Sequence, residues 1–300
     1  VDVCSLNPTV EKVDGVSYVN RLDGSDPDVV VMNRNVVNRF LVSLFPRAKK
    51  VWWLHDIADH RYLDDDGFRS CDRIVALSRY NVDSYSDFYV IERDMFAVIP
   101  NGVDREIFHN RRGAQNRNLF LCASAPIKGL YPMEFTHYSL RRINPSLEIR
   151  LYGSQKLHDF EDSAAHTKVF DTLRINGVSV LDPVPQAELA EVMRTARCLL
   201  MPNHYPEICS NLLLQAQACG LPVISVPIGS VPEFIQHEKT GLLTKTFPHD
   251  MYWWWKDFAS NAVRIMDDDR LFKTISENAP KKVLGGDEVG KMWETMLGGL

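Results

Sequence analysis

The sequence predicts an α/β protein of doubly wound parallel sheets in two domains. Three observations carry that prediction. Short apolar runs of four to six residues alternate with longer amphipathic segments. The runs are apolar throughout, as strands covered on both faces are. The length of 300 residues suffices for two domains of about 150 residues each.

The first set of elements runs to residue 99. Residues 28–32 (DVVVM) read as a strand, and 35–45 as a helix stopped by Pro46. Residues 51–54 (VWWL) form a strand that ends at His55-Asp56, and 72–77 (DRIVAL) and 96–99 are two more. Only a weak strand at 1–4 precedes them, without a Gly-rich strand-to-helix turn, so the natural chain is expected to have an upstream segment. Pro100-Asn101-Gly102-Val103-Asp104 is a turn cluster, and the polar stretch 109–118 follows it. A domain boundary is expected there.

The alternation then restarts. Strands are predicted at 119–123, 147–152, 178–181, 198–201, 223–226 and 242–243. Helices are predicted between them, for example 186–197 and 211–219. Three tail helices are predicted around 251–266, 270–278 and 288–297. The resulting division is 1–100 for an N-terminal domain, 101–284 for a C-terminal domain and 285–300 for a last helix. Ligands of such sheets bind beyond the carboxyl ends of the strands, so the turns after strands are where chemistry is expected.

Composition narrows the function classes. An apolar fraction of 45% and a charged fraction of 24% exclude disorder as the main state. A net charge of −5 excludes a globally basic nucleic-acid binder. No apolar run approaches the ~20 residues of a membrane-spanning helix. Six cysteines without a Cys-x-x-Cys pair predict reduced, buried thiols and a cytoplasmic location. His55 and His60 approach metal-ligand spacing, but no second cluster completes a set, and no metal is expected.

The most informative stretch is 201–225, MPNHYPEICSNLLLQAQACGLPVIS. A strand ends in a Pro-containing loop, Glu207 follows, and a helix is predicted to start near Ser210-Asn211. Ser and Asn are good N-caps, and a helix start offers free amides and positive dipole to a phosphate. Gln215 lies eight residues after Glu207.

This stretch resembles the E-x7-E region of family-4 retaining glycosyltransferases, which have the GT-B fold. Three further segments match in order. Residues 99–104 with Phe108 resemble the family's interdomain segment. Ser124-Ala125-Pro126-Ile127-Lys128-Gly129-Leu130 resembles its donor-phosphate loop. Gly229-Ser230-Val231-Pro232-Glu233 with Thr240-Gly241-Leu242-Leu243 resembles its Gly-Gly-x-Pro-Glu and Thr-Gly-Leu-Leu blocks.

The resemblance implies two Rossmann-like domains facing a cleft. It implies metal-independent transfer of a hexose or deoxyhexose, with retention, from a nucleoside diphosphate sugar to a carbohydrate or lipid-linked acceptor, with no cofactor. Glu207 would bind a donor hydroxyl, and Lys128 would neutralise the leaving diphosphate. Ser124 and the amides of Ile208, Cys209, Ser210 and Asn211 would hold the sugar and pyrophosphate. Val184 would contact the base, Gln215 the ribose, and His55 would face the cleft from the other domain.

Two departures stand out. Gln215 replaces the family's second Glu, and Ala123 replaces a basic residue near Lys128, a loss that Arg34 or Arg79 could offset. They keep open a non-catalytic sugar-nucleotide-binding or scaffold domain, and a GT-B-like epimerase is a third reading. Asp64-Asp65-Asp66 and Asp267-Asp268-Asp269 are expected to be helix-flanking acids rather than metal ligands. Trp253-Trp254-Trp255 is expected to pack in a helix, with peripheral membrane contact as its alternative.

Overall fold

The structure, a computed structural model, describes residues 2–4, 11–13, 16–19, 26–34, 42–58, 68–111, 113–123, 126–158, 161–245 and 251–300. Its N-terminal part holds two sheets. β1 (Asp2–Cys4), β2 (Glu11–Val13) and β3 (Val16–Val19) form a small sheet in the order β1-β3-β2. β4 (Val29–Asn33), β5 (Lys49–Trp53), β6 (Arg73–Ala76) and β7 (Phe96–Val98) form a parallel sheet in chain order. The helix α1 (Arg79–Tyr89) follows β6, with Ser78 as its N-cap accepting from the Asn81 amide. Trp52 and Phe68 stack in this core with centroids 3.9 Å apart.

The C-terminal sheet has six parallel strands: β8 (Leu119–Ala123), β9 (Glu148–Tyr152), β10 (Ser179–Leu181), β11 (Cys198–Met201), β12 (Val223–Ser225) and β13 (Leu242–Leu243). Their order is β10-β9-β8-β11-β12-β13. Strand order therefore reverses between β8 and β11, and a doubly wound sheet opens a crevice at that switch point. Both strands are apolar along their length and buried at every residue, as central strands covered on both faces must be. Helices α2 (Pro126–Ile143), α3 (Ala164–Ile175), α4 (Gln186–Thr195), α5 (Asn211–Ala218) and α6 (Val231–Phe234) connect the strands.

The chain crosses between the two parts twice. Residues 99–103 lead out of the N-terminal sheet, and residues 283–285 lead back beside them, with the Val103 amide bonded to the Leu284 carbonyl at 2.9 Å. After α7 (Met251–Asp267) and α8 (Asp269–Asn278), the last helix, α9 (Gly286–Gly298), returns to the N-terminal sheet. Its Val289, Met292, Trp293 and Met296 pack on Val51, Val75 and Ile99. Trp293 meets Trp53 edge to face, centroids 5.1 Å apart. The final helix of the chain thus completes the first domain's core.

The described strands match the predicted runs to within one or two residues at each end. β2 and β3 depart from the expectation of a single weak strand, at 1–4, before residue 28. Of the helix predicted over 35–45, residues 42–44 are described as helical, and 35–41 lie outside the described residues. Asp64-Asp65-Asp66 also lies outside them. Trp254 is buried and Trp255 half-buried in α7, which fits packing, while the Trp253 side chain is outside the described set. Cys71, Cys122, Cys198, Cys209 and Cys219 are buried and, among the described residues, form no disulfide. Burial pushes the Cys71, Cys122 and Cys209 thiols up to about 12. Among the described residues no helix is long and apolar enough to cross a membrane.

Leu121 sits in β8 beside the switch point and is 0% exposed. Leu121→Ala is expected to lower unfolding free energy by about 2–5 kcal/mol, the range for buried Leu truncations. Urea denaturation checks this, and a loss under about 1 kcal/mol would place β8 outside the core.

Candidate active site

The start of α2 and the loop after β11 meet at the switch point. α2 begins three positions after the end of β8, with Pro126 at its first position, where a missing amide hydrogen costs nothing. Lys128 is the third residue of that helix. The loop after β11 carries Asn203, Tyr205 and Glu207, and then enters α5 through Ser210. The Ser210 hydroxyl accepts from the Leu213 amide at 3.4 Å. The remaining first-turn amides of α5 have no intrahelical acceptor, as at any helix start.

Two glycines allow close approaches to the loop after β11, one from α2 and one from the turn after β12. A Cβ on Gly129 would stand 3.2 Å from both the Asn203 Oδ1 and the Pro202 carbonyl oxygen. Gly129 therefore allows α2 to press against the loop after β11, where the His204 amide donates to the Lys128 carbonyl at 3.1 Å. Gly229 has φ of +62°, and a Cβ there would lie 2.3 Å from the Glu207 carbonyl oxygen. Only glycine fits that approach. The Ser230 amide then donates to the same carbonyl at 2.7 Å.

The result is a tight charge pair. Lys128 Nζ lies 3.0 Å from each carboxylate oxygen of Glu207. Asn203 Nδ2 donates to Oε1 at 3.0 Å. The Glu207 side chain is 8% exposed, and that of Lys128 is 33% exposed. The Lys128 ammonium also stands 5.8 Å from the centre of the Tyr205 ring. A nearly buried carboxylate persists as an anion only with partners of this kind.

The opposite wall comes from the N-terminal domain. A cleft of about 320 Å³ is lined by Arg34, His55, Asp56 and Ile57 on one side, and by Lys128, Tyr205, Pro206, Glu207 and Ile208 on the other. Arg34 follows β4 with φ of 59° and reaches Asp56 at 3.2 Å. His55 Nε2 is buried with no hydrogen-bond partner among the described residues. Burial, and then the Arg34 guanidinium, hold the His55 imidazole below its ordinary 6.5, while Asp56 acts weakly in the other direction. The cleft wall therefore presents a neutral imidazole at pH 7.

The structure brings together Glu207, Lys128, His55 and Ile208 around this cleft. Cys209, Ser210 and Asn211 continue from it into α5. Asn101 of the interdomain segment holds this turn, donating to the Cys209 carbonyl at 3.3 Å and to Asn211 Oδ1 at 2.8 Å. Val184, half-buried against the C-terminal core, and Gln215, in the second turn of α5, are not among the residues lining the cleft. Ser124 lies outside the described residues. Ala123 is 7% exposed and ends β8. Of the two arginines considered as replacement cations, Arg34 lines the cleft. Arg79 does not, and its backbone amide is taken by Glu233 at 2.9 Å. Sequence reasoning missed Asn203, Asp56 and Tyr205. Asn203 had one local signal, an amide four residues before the carboxylate. Asp56 and Tyr205 had none beyond adjacency to His55 and Glu207.

The chain is similar to known proteins in sequence and in fold. Residues 132–268 match the family described as "Glycosyl transferases group 1". D-inositol 3-phosphate glycosyltransferase of Pseudarthrobacter chlorophenolicus is 26% identical over 199 residues, which is 63% of this chain and 46% of that protein. The chain thus spans about half the length of the curated relatives it matches. HepE of Anabaena, solved with UDP, superposes with a TM-score of 0.72 at 16% identity, over 90% of this chain and 79% of that one. It has also been solved with UDP-glucose. Sucrose-phosphate synthase of Thermosynechococcus elongatus gives a TM-score of 0.72 at 16% identity, over 91% of this chain and 74% of the other. These solved structures are GT-B glycosyltransferases, and this chain has their α/β fold.

Two outcomes follow from the site's asymmetry. Lys128→Met leaves a nearly buried carboxylate with Asn203 as its remaining side-chain partner, whereas Glu207→Gln leaves an ammonium that can turn to water. Lys128→Met is expected to cost about 1–3 kcal/mol, and Glu207→Gln clearly less. Equal losses in urea titrations would mean the pair is not a buried-carboxylate contact. The second outcome concerns pH. His55 binds its proton more weakly folded than unfolded, so stability falls as pH drops from 6.5 through the lower folded value. His137, also lowered by burial, adds to the same slope. His55→Gln should flatten that slope, and an unchanged profile would contradict the burial of this ring.

Proposed function

We propose, from the match of residues 132–268 to glycosyl transferases group 1, that this cleft transfers a sugar from a nucleoside diphosphate donor to an acceptor hydroxyl. The observation that carries the reading is the convergence of Lys128, Glu207 and the start of α5 at the switch point. In such a reaction the bond from the anomeric carbon to the diphosphate breaks, and a bond to the acceptor oxygen forms. The acceptor proton passes to an oxygen of the departing diphosphate as that bond forms. Negative charge builds on the diphosphate, so a cation and a helix N-terminus beside it lower the barrier. Lys128 and the amides of Ile208, Cys209, Ser210 and Asn211 would take that charge, with Ser124 adding a hydroxyl.

In this reading Lys128 exchanges partners. Without donor it holds Glu207 in place. With donor it turns to the diphosphate, and Glu207 accepts hydrogen bonds from hydroxyls of a hexose or deoxyhexose. That carboxylate orients the ring for attack. Retention of configuration and independence from metal belong to the same proposal. Val184 would contact the base, and Gln215 the ribose through a neutral amide oxygen. His55, neutral at pH 7, would accept or donate one hydrogen bond on the acceptor side. The acceptor would be a carbohydrate or a lipid-linked sugar. A cytoplasmic setting suits a nucleotide-sugar donor.

A second reading keeps the binding and drops the transfer. Ala123 at the end of β8 and Gln215 in α5 favour it, since each removes a charge from the donor site. Binding of donor without transfer to any acceptor in a broad panel would establish this alternative.

A thermal-shift screen of UDP-, GDP-, ADP- and dTDP-sugars is the expected discriminator. UDP-glucose is the first to try, because HepE has been solved with it. At one hundred times its Kd a cognate donor stabilises by about 2.7 kcal/mol. With that donor, Glu207→Gln should lower transfer about 100-fold or more while Tm stays near that of the parent chain. Undiminished transfer by Glu207→Gln would overturn the site assignment.

A further inference from the structure

Glu233 belongs to the C-terminal domain, but its carboxylate is bound in the N-terminal one. Its Oε2 accepts from the Arg79 amide at 2.9 Å, and its Oε1 accepts from the Tyr80 amide at 2.8 Å. Those are the first two amides of α1, which have no acceptor within the helix. The third, on Asn81, is already taken by Ser78. A carboxylate from the other domain thus completes the cap of this helix, where both hydrogen bonding and the dipole favour a negative charge.

Each end of this contact leads to one wall of the cleft. On the Glu233 side, its amide donates to the Ser230 carbonyl at 2.9 Å, and the Ser230 amide donates to the Glu207 carbonyl at 2.7 Å. Gly229 pairs with Glu207 in an isolated parallel bridge. On the α1 side, Asn81 Nδ2 donates to the Asp56 carbonyl at 3.1 Å, and the Ala58 amide donates to Ser84 Oγ at 3.1 Å. The segment so held carries His55, Asp56 and Ile57. One clip therefore joins the turn that fixes Glu207 to the helix that fixes His55.

We propose that Glu233 is a positioning residue that sets the spacing between the donor wall and the acceptor wall of the cleft by clipping the N-terminus of α1. The clip is bidentate and solvent-exposed, so it is weak enough to open and reclose. Water competes for both amides, and a carboxylate at an exposed helix start contributes modestly. A contact of that strength suits a cleft that must admit a donor and release a product. The donor part of this inference rests on the proposed function. The spacing part does not.

The test uses four variants of the whole chain. Glu233→Ala removes both bonds. Glu233→Gln keeps one acceptor and turns an NH2 towards the other amide. Arg79→Pro deletes one of the two amides at the first helical position, where proline is tolerated. Ser78 before it is already extended, with φ of −160° and ψ of 167°, as a residue preceding proline requires. Arg79→Ala keeps the amide and serves as the control.

Hydrogen exchange is read over 55–58 and 207–211, and UDP binding by calorimetry. Glu233→Ala, Glu233→Gln and Arg79→Pro should each speed exchange at both walls and weaken UDP binding about three- to tenfold, with Tm nearly unchanged. Arg79→Ala should match the parent chain. The Glu233→Gln/Arg79→Pro double variant should be no worse than either single one, because both remove the same bond. Parent-like exchange at both walls in Glu233→Ala would overturn the proposal, as would additive losses in the double variant. If the parent chain fails to bind UDP, the donor reading fails, and the exchange data still decide whether the clip sets the spacing.

Discussion

One ion pair organises the site. Lys128 and Glu207 are 79 residues apart in sequence, yet Nζ stands 3.0 Å from both carboxylate oxygens. The contact exists because β8 and β11 lie side by side at the point where strand order reverses. The helices that follow them, α2 and α5, pack into different core clusters on the sheet, and the crevice lies where their starts come together. A carboxylate that is 8% exposed in that crevice demands a cation. Gly129 lets α2 press on the loop after β11, Gly229 lets the turn after β12 press on the same loop, and Asn203 holds the Glu207 carboxylate. Removing any of these would let the two charges drift apart into solvent.

The pairing also suits the chemistry proposed for it. An ammonium held by a carboxylate is already positioned and partly desolvated. A diphosphate is the stronger partner, because it offers more charge and is met by helix amides as well. On the facing wall the more exposed Arg34 reaches one oxygen of Asp56 at 3.2 Å. Both cations lining the cleft are thus pre-paired with carboxylates. A ligand enters by exchanging ion pairs rather than by charging an apolar pocket, which avoids most of the cost of burying new charge. The imidazole of His55 stays neutral between them because burial and Arg34 both oppose its protonation.

Much of this was legible in the sequence, for physical reasons. β8 and β11 are apolar at every position, and such runs leave few alternatives to central strands of a parallel sheet. Glu207 and Lys128 follow those runs directly, so topology and site were read from the same residues. The β2–β3 hairpin was missed although Asp14-Gly15, a pair favoured in two-residue hairpin loops, separates its strands. Its strands are only three and four residues long, too short for an alternation to register. Contacts across the chain left no local trace. Glu233 meets amides 154 and 153 residues away, and α9 fills the first domain's core from the far end of the sequence. Val184 and Gln215 were assigned by resemblance alone. Neither lines the cleft of Lys128 and Glu207, because one follows the sheet's outer strand and the other sits a full turn inside α5.

The exchange of partners by Lys128 can be seen in one structure, that of the chain crystallised with UDP. The account predicts β-phosphate oxygens about 2.7–3.2 Å from Lys128 Nζ and from at least one first-turn amide of α5, with Lys128 withdrawn from Glu207 beyond about 4 Å. UDP bound elsewhere, or bound while Lys128 still grips both carboxylate oxygens, would contradict it.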